Sequence, residues 1–557
     1  MRSASNVRPR VARLTRYLVL VVIFNAAALQ TAYGQGNAPE AAADPAQELE
    51  RYQQGLEYLE ERDRELDGRD DSPVVDVPER EGSDLPQGPD FYLRGVQFSA
   101  SKVLDDDDLK RIADEFVGRT ITFDELEALV AKINGLYEER GYLTARALVP
   151  PQEIQEGIVR IRLVEAEVGR INIESQYVYP WYLKSRLSAR EGELLKLPEL
   201  REDLNFLNRT SEITGRADLA PGENVGETDV TIRVEEPDRT SIRGYVDNLG
   251  SRTTGRERIG TIVNLFSPLG ITDRLTLNAA LSEGTVSGFA SYSVPVPFHG
   301  ARFEVRYARN DLEVIEGQFA DLGIEGQSQT IEATYNQPLL RTDRWSVDGF
   351  LRGRQVNSQT ELADTRISES DINAGTGGTS ASWIGDGTQI SLRGDVTIGR
   401  EIDLFDNTQR YTVHNARLSW TQRITETVYT VASGRWQLSS IEDLPSVALF
   451  QAGGFSSVRG YRPNVVSGDE GISGQSELRW RVRDWATPFV FADGGLVRRT
   501  AGDEGRVDDG IVGAGAGVLF RVGDHVSGEV AVGYGFNDVV ADQEHVQLHF
   551  RLSANWP

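Results

Sequence analysis

The chain has 557 residues, of which 39% are hydrophobic, 8% aromatic and 26% charged. It is too long for one ordinary domain, too hydrophobic for a disordered chain, and too poor in apolar runs for a bundle of membrane-spanning helices. The formal net charge of −26 argues against a general nucleic-acid-binding protein, and the absence of cysteine excludes disulfide bonds and thiolate chemistry. The 55 glycines favour an all-β protein with many turns.

Residues 1–34 have the pattern of a secretory signal peptide. Five arginines and no acidic residue precede an apolar stretch, Leu18 to Leu29, which is too short to span a bilayer as a helix. Ala32 and Gly34 then supply small residues at the −3 and −1 positions of a cleavage site. We therefore predict export, with an uncleaved anchor as the alternative.

Residues 35–67 are predicted to contain an amphipathic helix, and residues 68–90 an extended linker. Apolar residues recur at helical spacing, and the opposite face is strongly acidic. The apolar positions are Leu49, Tyr52, Leu56 and Leu59. The linker contains four prolines, several acidic residues and no hydrophobic period. Such a helix could be a plug, a partner helix or a solvated coiled-coil fragment.

Residues 91–166 and 167–236 are predicted to form two small α/β modules with the same β-α-α-β-β order. In the first, strands are expected from Phe91 to Phe98 and from Tyr142 to Val149, and Thr122 and Glu125 form a capping box at the start of a helix. In the second, Pro198 marks the first turn of a helix. The stretch from Leu136 to Glu165 resembles the periplasmic POTRA modules of outer-membrane transporters.

This resemblance implies that the modules hold a client protein. Small sheets of this kind have open edges, to which an extended chain can add through main-chain hydrogen bonds with little demand on its sequence. The alternative is that both modules are spacers.

Residues 237–557 are predicted to form a transmembrane β-barrel. Segments of about ten residues alternate apolar and polar residues and are separated by turn residues. Phe303, Val305 and Tyr307, for example, alternate with charged residues. Only a closed barrel leaves no backbone group unpaired in the hydrocarbon, and strands of about 9–11 residues predict about 16 antiparallel strands. The predicted fold is thus an all-β transmembrane barrel preceded by two α/β modules and a helix.

The final strand alternates strictly from Val546 to Trp556. This pattern resembles the C-terminal signal by which the barrel assembly machinery recognises outer-membrane barrels. Pro557 follows the aromatic residue, which departs from the usual terminal aromatic.

Two short motifs carry a more specific resemblance. Val458, Arg459, Gly460 and Tyr461 lie in a stretch without a sustained strand pattern, and Phe491, Asp493 and Gly495 follow about thirty residues later in a strand-like run. Both motifs can be read directly from the sequence. After two POTRA-like modules, this combination resembles the Val-Arg-Gly-Tyr and Phe-x-Asp-x-Gly motifs of two-partner secretion transporters.

The two motifs suit a loop that is folded into the lumen and anchored to the wall. Arg459 offers a planar donor fork and Asp493 an acceptor for a bidentate pair. Asp493 would be costly on a lipid-facing side, so we expect it to face the lumen. The alternative is that the pair only stabilises the barrel.

The function implied by the resemblance is secretion of a large exoprotein, of the haemolysin or adhesin type, across the bacterial outer membrane. The POTRA modules would lie in the periplasm and capture the unfolded client, the barrel would form the pore, and the helix would occupy the lumen at rest. We predict no enzyme activity, cofactor, metal or nucleic-acid partner, since no P-loop, GxSxG or HExxH motif occurs. A barrel assembly insertase and a passive porin-like channel are the alternatives.

Overall fold

The structure is a computed structural model that describes residues 44–67, 75–76, 89–142, 144–224, 226–296, 300–317, 319–342, 344–500, 506–523 and 525–556. Side chains are not described for residues 58–67, 75–76 and 500. The predicted signal peptide, most of the predicted linker, Pro557 and the side chain of Leu59 therefore lie outside the described part. None of the helices within that part is long and apolar enough to cross a membrane.

The chain divides into two compact units. One contains helix α1 (Pro45–Asp67) and the strands that follow residue 238, and the other contains the two small modules. Each unit is built around its own buried residues.

The first module consists of two short sheets against two helices. Its elements are β2 (Phe91–Leu93), β3 (Gly95–Phe98), α2 (Asp106–Asp114), β4 (Arg119–Ile121), α3 (Phe123–Glu139), β5 (Arg146–Leu148) and β6 (Ile158–Val164). The sheet order is β3-β6-β5, with β2 paired to β4. The capping box at α3 is confirmed, because Glu125 N–H donates to Thr122 Oγ1 and Thr122 N–H donates to Glu125 Oε2.

Two strands of this module differ from the sequence prediction. The single strand expected from Phe91 to Phe98 is divided at Arg94, where two backbone N–H groups donate to Gly157 O instead of continuing one ladder. The strand expected from Tyr142 to Val149 is reduced to the three residues of β5.

The second module is a four-stranded sheet with two helices. Its elements are β7 (Glu167–Glu174), α4 (Pro180–Ser185), α5 (Leu197–Thr210), β8 (Thr214–Pro221) and β9 (Glu227–Glu235), together with the two-residue strand β1 (Val75–Asp76) from the predicted linker. The order is β1-β8-β9-β7. Val75 and Asp76 pair in parallel with Ala217 and Asp218, so the linker covers the β8 edge.

Of the 18 remaining strands within the described residues, 16 form a closed antiparallel barrel, as the sequence predicts. The barrel strands are β10 (Thr240–Asp247), β11 (Arg258–Phe266), β12 (Arg274–Leu281), β13 (Thr285–Pro295), β14 (Arg302–Glu313), β15 (Ile324–Arg341), β16 (Trp345–Leu362), β17 (Thr365–Gly385), β18 (Thr388–Asp403), β19 (Thr408–Arg423), β20 (Val428–Ser439), β23 (Glu470–Trp480), β24 (Ala486–Thr500), β25 (Arg506–Val522), β26 (Val526–Gly535) and β27 (Val546–Trp556). Closure is made by β27 and β10, with Trp556 opposite Ile242.

The alternation predicted for the barrel matches the exposure of its side chains. On β14, Phe303, Val305 and Tyr307 are exposed on the outer surface. On β27, Val546 and Leu548 are exposed, whereas Gln547 and His549 are buried on the inner side. An apolar outer surface with a polar inner wall is the arrangement that a bilayer requires of a barrel.

Candidate functional site in the barrel lumen

The connection between β20 and β23 is folded into the barrel. It contains the short antiparallel strands β21 (Phe450–Ala452) and β22 (Val466–Gly468), and between them lies the segment Gly453–Arg462, called the loop motif below. Ser457 stabilises the loop backbone, since its Oγ accepts Gly453 N–H at 2.8 Å and donates to Gly453 O at 2.9 Å. This fold turns the Val-Arg-Gly-Tyr tetrapeptide towards the inner wall.

Arg459 and Asp493 are brought together in a bidentate ion pair. Arg459 Nε donates to Asp493 Oδ2 at 2.8 Å and Nη2 donates to Oδ1 at 2.8 Å. The backbone N–H of Arg459 also donates to Oδ2 at 3.0 Å. Both side chains are fully buried, with 0% exposure each. A charge-assisted pair of this geometry fixes both the position and the orientation of the loop.

Glu477 and Arg479 on β23 extend this pair to a group of four charges. The Glu477 carboxylate accepts a hydrogen bond from Arg459 Nη1 and a second from Arg479 Nε, the latter at 2.6 Å. Two arginines and two carboxylates thus form one buried, neutral group. The ring of Phe491 lies under the Arg459 guanidinium, 3.8 Å from the centroid to Cζ, and adds a cation–π contact.

Gly460 allows the loop backbone to lie directly on the barrel wall. Its φ is +111°, a conformation that favours glycine. A Cβ atom at this position would lie 2.7 Å from the carbonyl carbon of Tyr534 on β26. The wall is also built from glycine here: a Cβ on Gly513 would lie 2.2 Å from Arg459 O, and one on Gly533 2.6 Å from Gly460 N. Loop and wall therefore meet backbone to backbone.

Val458 and Tyr461 pack in an apolar cluster beside the ion pair. Both are fully buried. Gly495 leaves room for Val458, since a Cβ there would lie 3.2 Å from Val458 Cγ2. The phenol of Tyr461 donates to Asn537 Oδ1 at 2.7 Å and accepts the Asn537 backbone N–H at 3.2 Å. Every residue of the two predicted motifs thus takes part in one loop–wall contact.

Helix α1 contacts strands on opposite sides of the barrel and therefore lies within the lumen. On one side, Leu49, Tyr52 and Leu56 are buried in a cluster with Tyr245 of β10 and other wall residues. Tyr52 Oη donates to Asn278 Oδ1 at 2.6 Å and lies 2.7 Å from Tyr245 Oη. The apolar face predicted from the sequence is the face that meets this part of the wall.

The acidic face of α1 meets arginines on the other side. Glu50 Oε2 lies 2.7 Å from Arg354 Nη2 of β16. Glu57 Oε2 accepts from Arg417 Nη1 of β19 at 3.5 Å. On the first side, Glu48 accepts a hydrogen bond at 2.7 Å from the Oγ1 of Thr254, which lies in the connection between β10 and β11. The helix is thus held mostly by polar contacts.

Several residues of this site belong to no recognisable motif in the sequence. Glu477 is one acidic residue among many, and Gly513 and Gly533 lie in a glycine-rich run whose partners are distant in the chain. An alternating-face analysis could have found Glu477 and Arg479, because both have the inward parity of β23. Within the described residues, no group of three or more potential ligands is arranged to hold a metal ion.

Comparison with known proteins gives consistent matches over most of the chain. The family model described as haemolysin secretion/activation protein ShlB/FhaC/HecB matches residues 226–520, and the POTRA domain model of ShlB type matches residues 91–166. The heme/hemopexin transporter protein HuxB of Haemophilus influenzae is 28% identical over 417 residues, which cover 70% of this chain and 73% of that protein.

The outer membrane transporter CdiB of Escherichia coli is similar over almost the full length. It is 24% identical over 559 residues, covering 93% of this chain and 91% of that protein. The solved structure of CdiB from Escherichia coli matches with a TM-score of 0.66 at 21% identity and covers 93% of this chain and 100% of that one. At that identity, the structural match shows a shared fold.

Proposed function

The chain belongs to the ShlB/FhaC/HecB haemolysin secretion/activation family, whose members are two-partner secretion transporters of the bacterial outer membrane, and we propose that its own client is a large exoprotein of the haemolysin or adhesin type. The observation that carries this proposal is the family match over residues 226–520, which includes the loop motif and the wall residues Phe491, Asp493 and Gly495. The POTRA modules, one of which matches the ShlB-type model, lie on the periplasmic side and receive the client.

The experiment is a secretion assay with the large exoprotein that we expect the adjacent gene to encode. We expect the exoprotein in the medium when both proteins are made and its retention in the periplasm when this chain is absent. A barrel assembly insertase would instead lower the amounts of many outer-membrane proteins on depletion. A passive channel would leave the exoprotein unaffected.

The outer surface of the barrel supports a direct contact with outer-membrane lipid. Large apolar side chains on the outward parity of many strands are exposed, and hydrocarbon is the environment in which they are stable. The alternating strand β27 supports recognition by the barrel assembly machinery during biogenesis. Deleting Trp556 should lower the amount of heat-modifiable barrel in the outer membrane, and an unchanged amount would contradict that role.

The second module offers a specific place for client capture. The edge of β8 is covered by the two residues of β1, and a two-residue parallel pairing is a weak cover that another extended chain can replace. We expect Val75→Pro, which removes a backbone N–H from β1, to strengthen binding of the client's secretion domain to the full-length protein.

Two results would test this edge. Surface plasmon resonance should give a lower Kd for Val75→Pro than for the unchanged chain. An equal Kd would contradict competition between linker and client. The matched control is Asp90→Pro, because Asp90 lies outside every strand of the module.

Helix α1 is proposed to close the pore at rest and to leave during transport. Its position in the lumen, its polar contacts and its small buried apolar face all support a helix that can be released. Spin labels on Gln53 and on the inner wall should give a short distance without client and a longer one with client. The same distance in both states would contradict release.

A further inference from the structure

Three arginines are aligned side by side on the inner wall of the barrel. Arg393 of β18 is directly opposite Arg417 of β19, and Arg417 is directly opposite Arg435 of β20. These three residues are called the arginine row below. Like charges at directly opposite positions on neighbouring strands destabilise a sheet. The repulsion between these arginines therefore lowers the stability of this wall, and a barrel of the same fold could form without them.

The wall around the row supplies too few carboxylates to neutralise it. The cavity between helix and wall is lined by six arginines of the wall and by two wall carboxylates. These wall residues are Arg306, Arg352, Arg354, Arg393, Arg417, Arg435, Glu332 and Asp395. Of the two carboxylates, Glu332 lies 3.3 Å from Arg352, and Asp395 lies 3.9 Å from Arg393, at the outer limit of an ion pair.

The contacts of the row itself are weak. Arg417 meets Glu57 of α1 at 3.5 Å, with 37% and 53% of the two side chains exposed. Arg435 donates to neutral oxygens, Gln54 Oε1 at 2.9 Å and Gln451 O at 3.4 Å. Arg393 lies over the ring of Phe350, 4.0 Å from its centroid, instead of facing a close carboxylate. In this state the row is covered by α1 and only partly neutralised.

We propose that the arginine row is a binding site for small inorganic anions and that it makes the pore anion-selective when α1 leaves. Guanidinium groups bind chloride and oxyanions with their N–H donors, and arginine-lined constrictions favour anion passage. The low-dielectric wall around the lumen focuses the field of adjacent charges. The inference rests on the pore of the proposed function and adds its ionic preference and the residues responsible.

The test is the reversal potential of the full-length protein in planar lipid bilayers under a gradient of KCl. We expect the open events to prefer chloride over potassium. In R393Q/R417Q/R435Q the reversal potential should shift towards zero, because the row then keeps polar side chains with amide N–H donors but loses its charge. Adding sulfate to the unchanged protein should reduce the chloride current.

The control removes the same number of positive charges outside the lumen. R309Q/R366Q/R498Q changes exposed arginines that pair with neighbouring acidic residues, and it should leave the reversal potential unchanged. Should the triple lumen variant fail to insert, R435Q alone must give a smaller shift in the same direction.

Different results identify which proposal fails. Potassium preference in the unchanged protein, or an equal shift in the control variant, overturns the anion site while secretion by the same protein stays intact. Bilayers without any open events, together with lost secretion, overturn the pore and the anion site with it.

Discussion

The loop motif and helix α1 both occupy the barrel lumen, but they are held in different ways. The loop motif is joined to the wall by a neutral group of buried charges, by backbone-to-backbone contact at glycines and by buried apolar packing. Helix α1 is held by partly exposed ion pairs, a few hydroxyl and amide hydrogen bonds and, among its described side chains, the buried Ala46, Leu49, Tyr52 and Leu56.

This difference has a physical consequence for movement. Breaking a buried ion pair leaves uncompensated charges and costs about 3–5 kcal/mol, whereas a surface-like pair contributes about 0–1 kcal/mol. Water entering the lumen can replace many contacts of α1 but few contacts of the loop. We therefore expect the helix to be the mobile occupant and the loop the fixed one.

The largest effect is expected for Arg459→Ala. This change leaves the buried Asp493 without its bidentate partner and removes one of the two arginines bound to Glu477. Breaking a buried pair in this way costs about 3–5 kcal/mol of loop anchoring. We expect secretion of the exoprotein to be largely lost, while heat-modifiable mobility still reports a closed barrel.

Arg498→Ala is the matched control for this change, because Arg498 is exposed and pairs with Asp508 at 2.8 Å. It should leave secretion unchanged. Normal secretion by Arg459→Ala with an intact barrel would show that the loop does not need its anchor.

Gly460→Ala tests the backbone contact between loop and wall. The added Cβ would meet Tyr534 at 2.7 Å in a backbone conformation that disfavours alanine, and such strain costs about 1–3 kcal/mol. Protease accessibility of the loop should rise and secretion should fall. Gly353→Ala is the control, since a Cβ there has no neighbour within 4 Å; equal behaviour of both variants would contradict the close contact.

Tyr52→Phe tests how the apolar side of α1 is held. The change removes the hydrogen bonds of the Tyr52 hydroxyl to Asn278 Oδ1 and Tyr245 Oη, and the loss of buried hydrogen bonds costs about 1–3 kcal/mol. More frequent channel openings in bilayers are expected, with the loop still protected from protease. Tyr92→Phe, an exposed residue of the first module, should change neither property. Openings as rare as in the unchanged protein would mean that this contact does not hold the helix.

Glu57→Gln is expected to have the smallest effect. Its ion pair with Arg417 is long and exposed, so its loss costs at most about 1 kcal/mol. A small increase in opening frequency should appear at low salt and disappear at high salt, because exposed pairs are screened. An increase in opening frequency as large as that of Tyr52→Phe would contradict the expectation that the Tyr52 contacts hold the helix more strongly than the Glu57–Arg417 pair.

Much of this architecture could be predicted because it follows local rules. The alternation of apolar and polar residues along strands such as β14 and β27 indicates which face meets lipid. The length of the segment 237–557 then predicts the number of strands. The capping box of α3 is local as well, since both partners lie within four residues. The bounds of short strands were less predictable. β5 is shorter than expected, and the strand expected from Phe91 to Phe98 is divided, because pairing with distant residues decides where a ladder ends.

The sequence by itself determined the β-barrel, the two modules, an acidic amphipathic helix and the two motifs. Only the tertiary structure decided that Glu477 and Arg479 join the Arg459–Asp493 pair, and that Gly513 and Gly533 form the surface on which the loop lies. It also aligned Arg393, Arg417 and Arg435 in one row. The physical reason is that strand register and barrel closure bring together residues that are far apart in the chain. They decide which side chains point into the lumen, which are buried and which charges lie close enough to compensate one another.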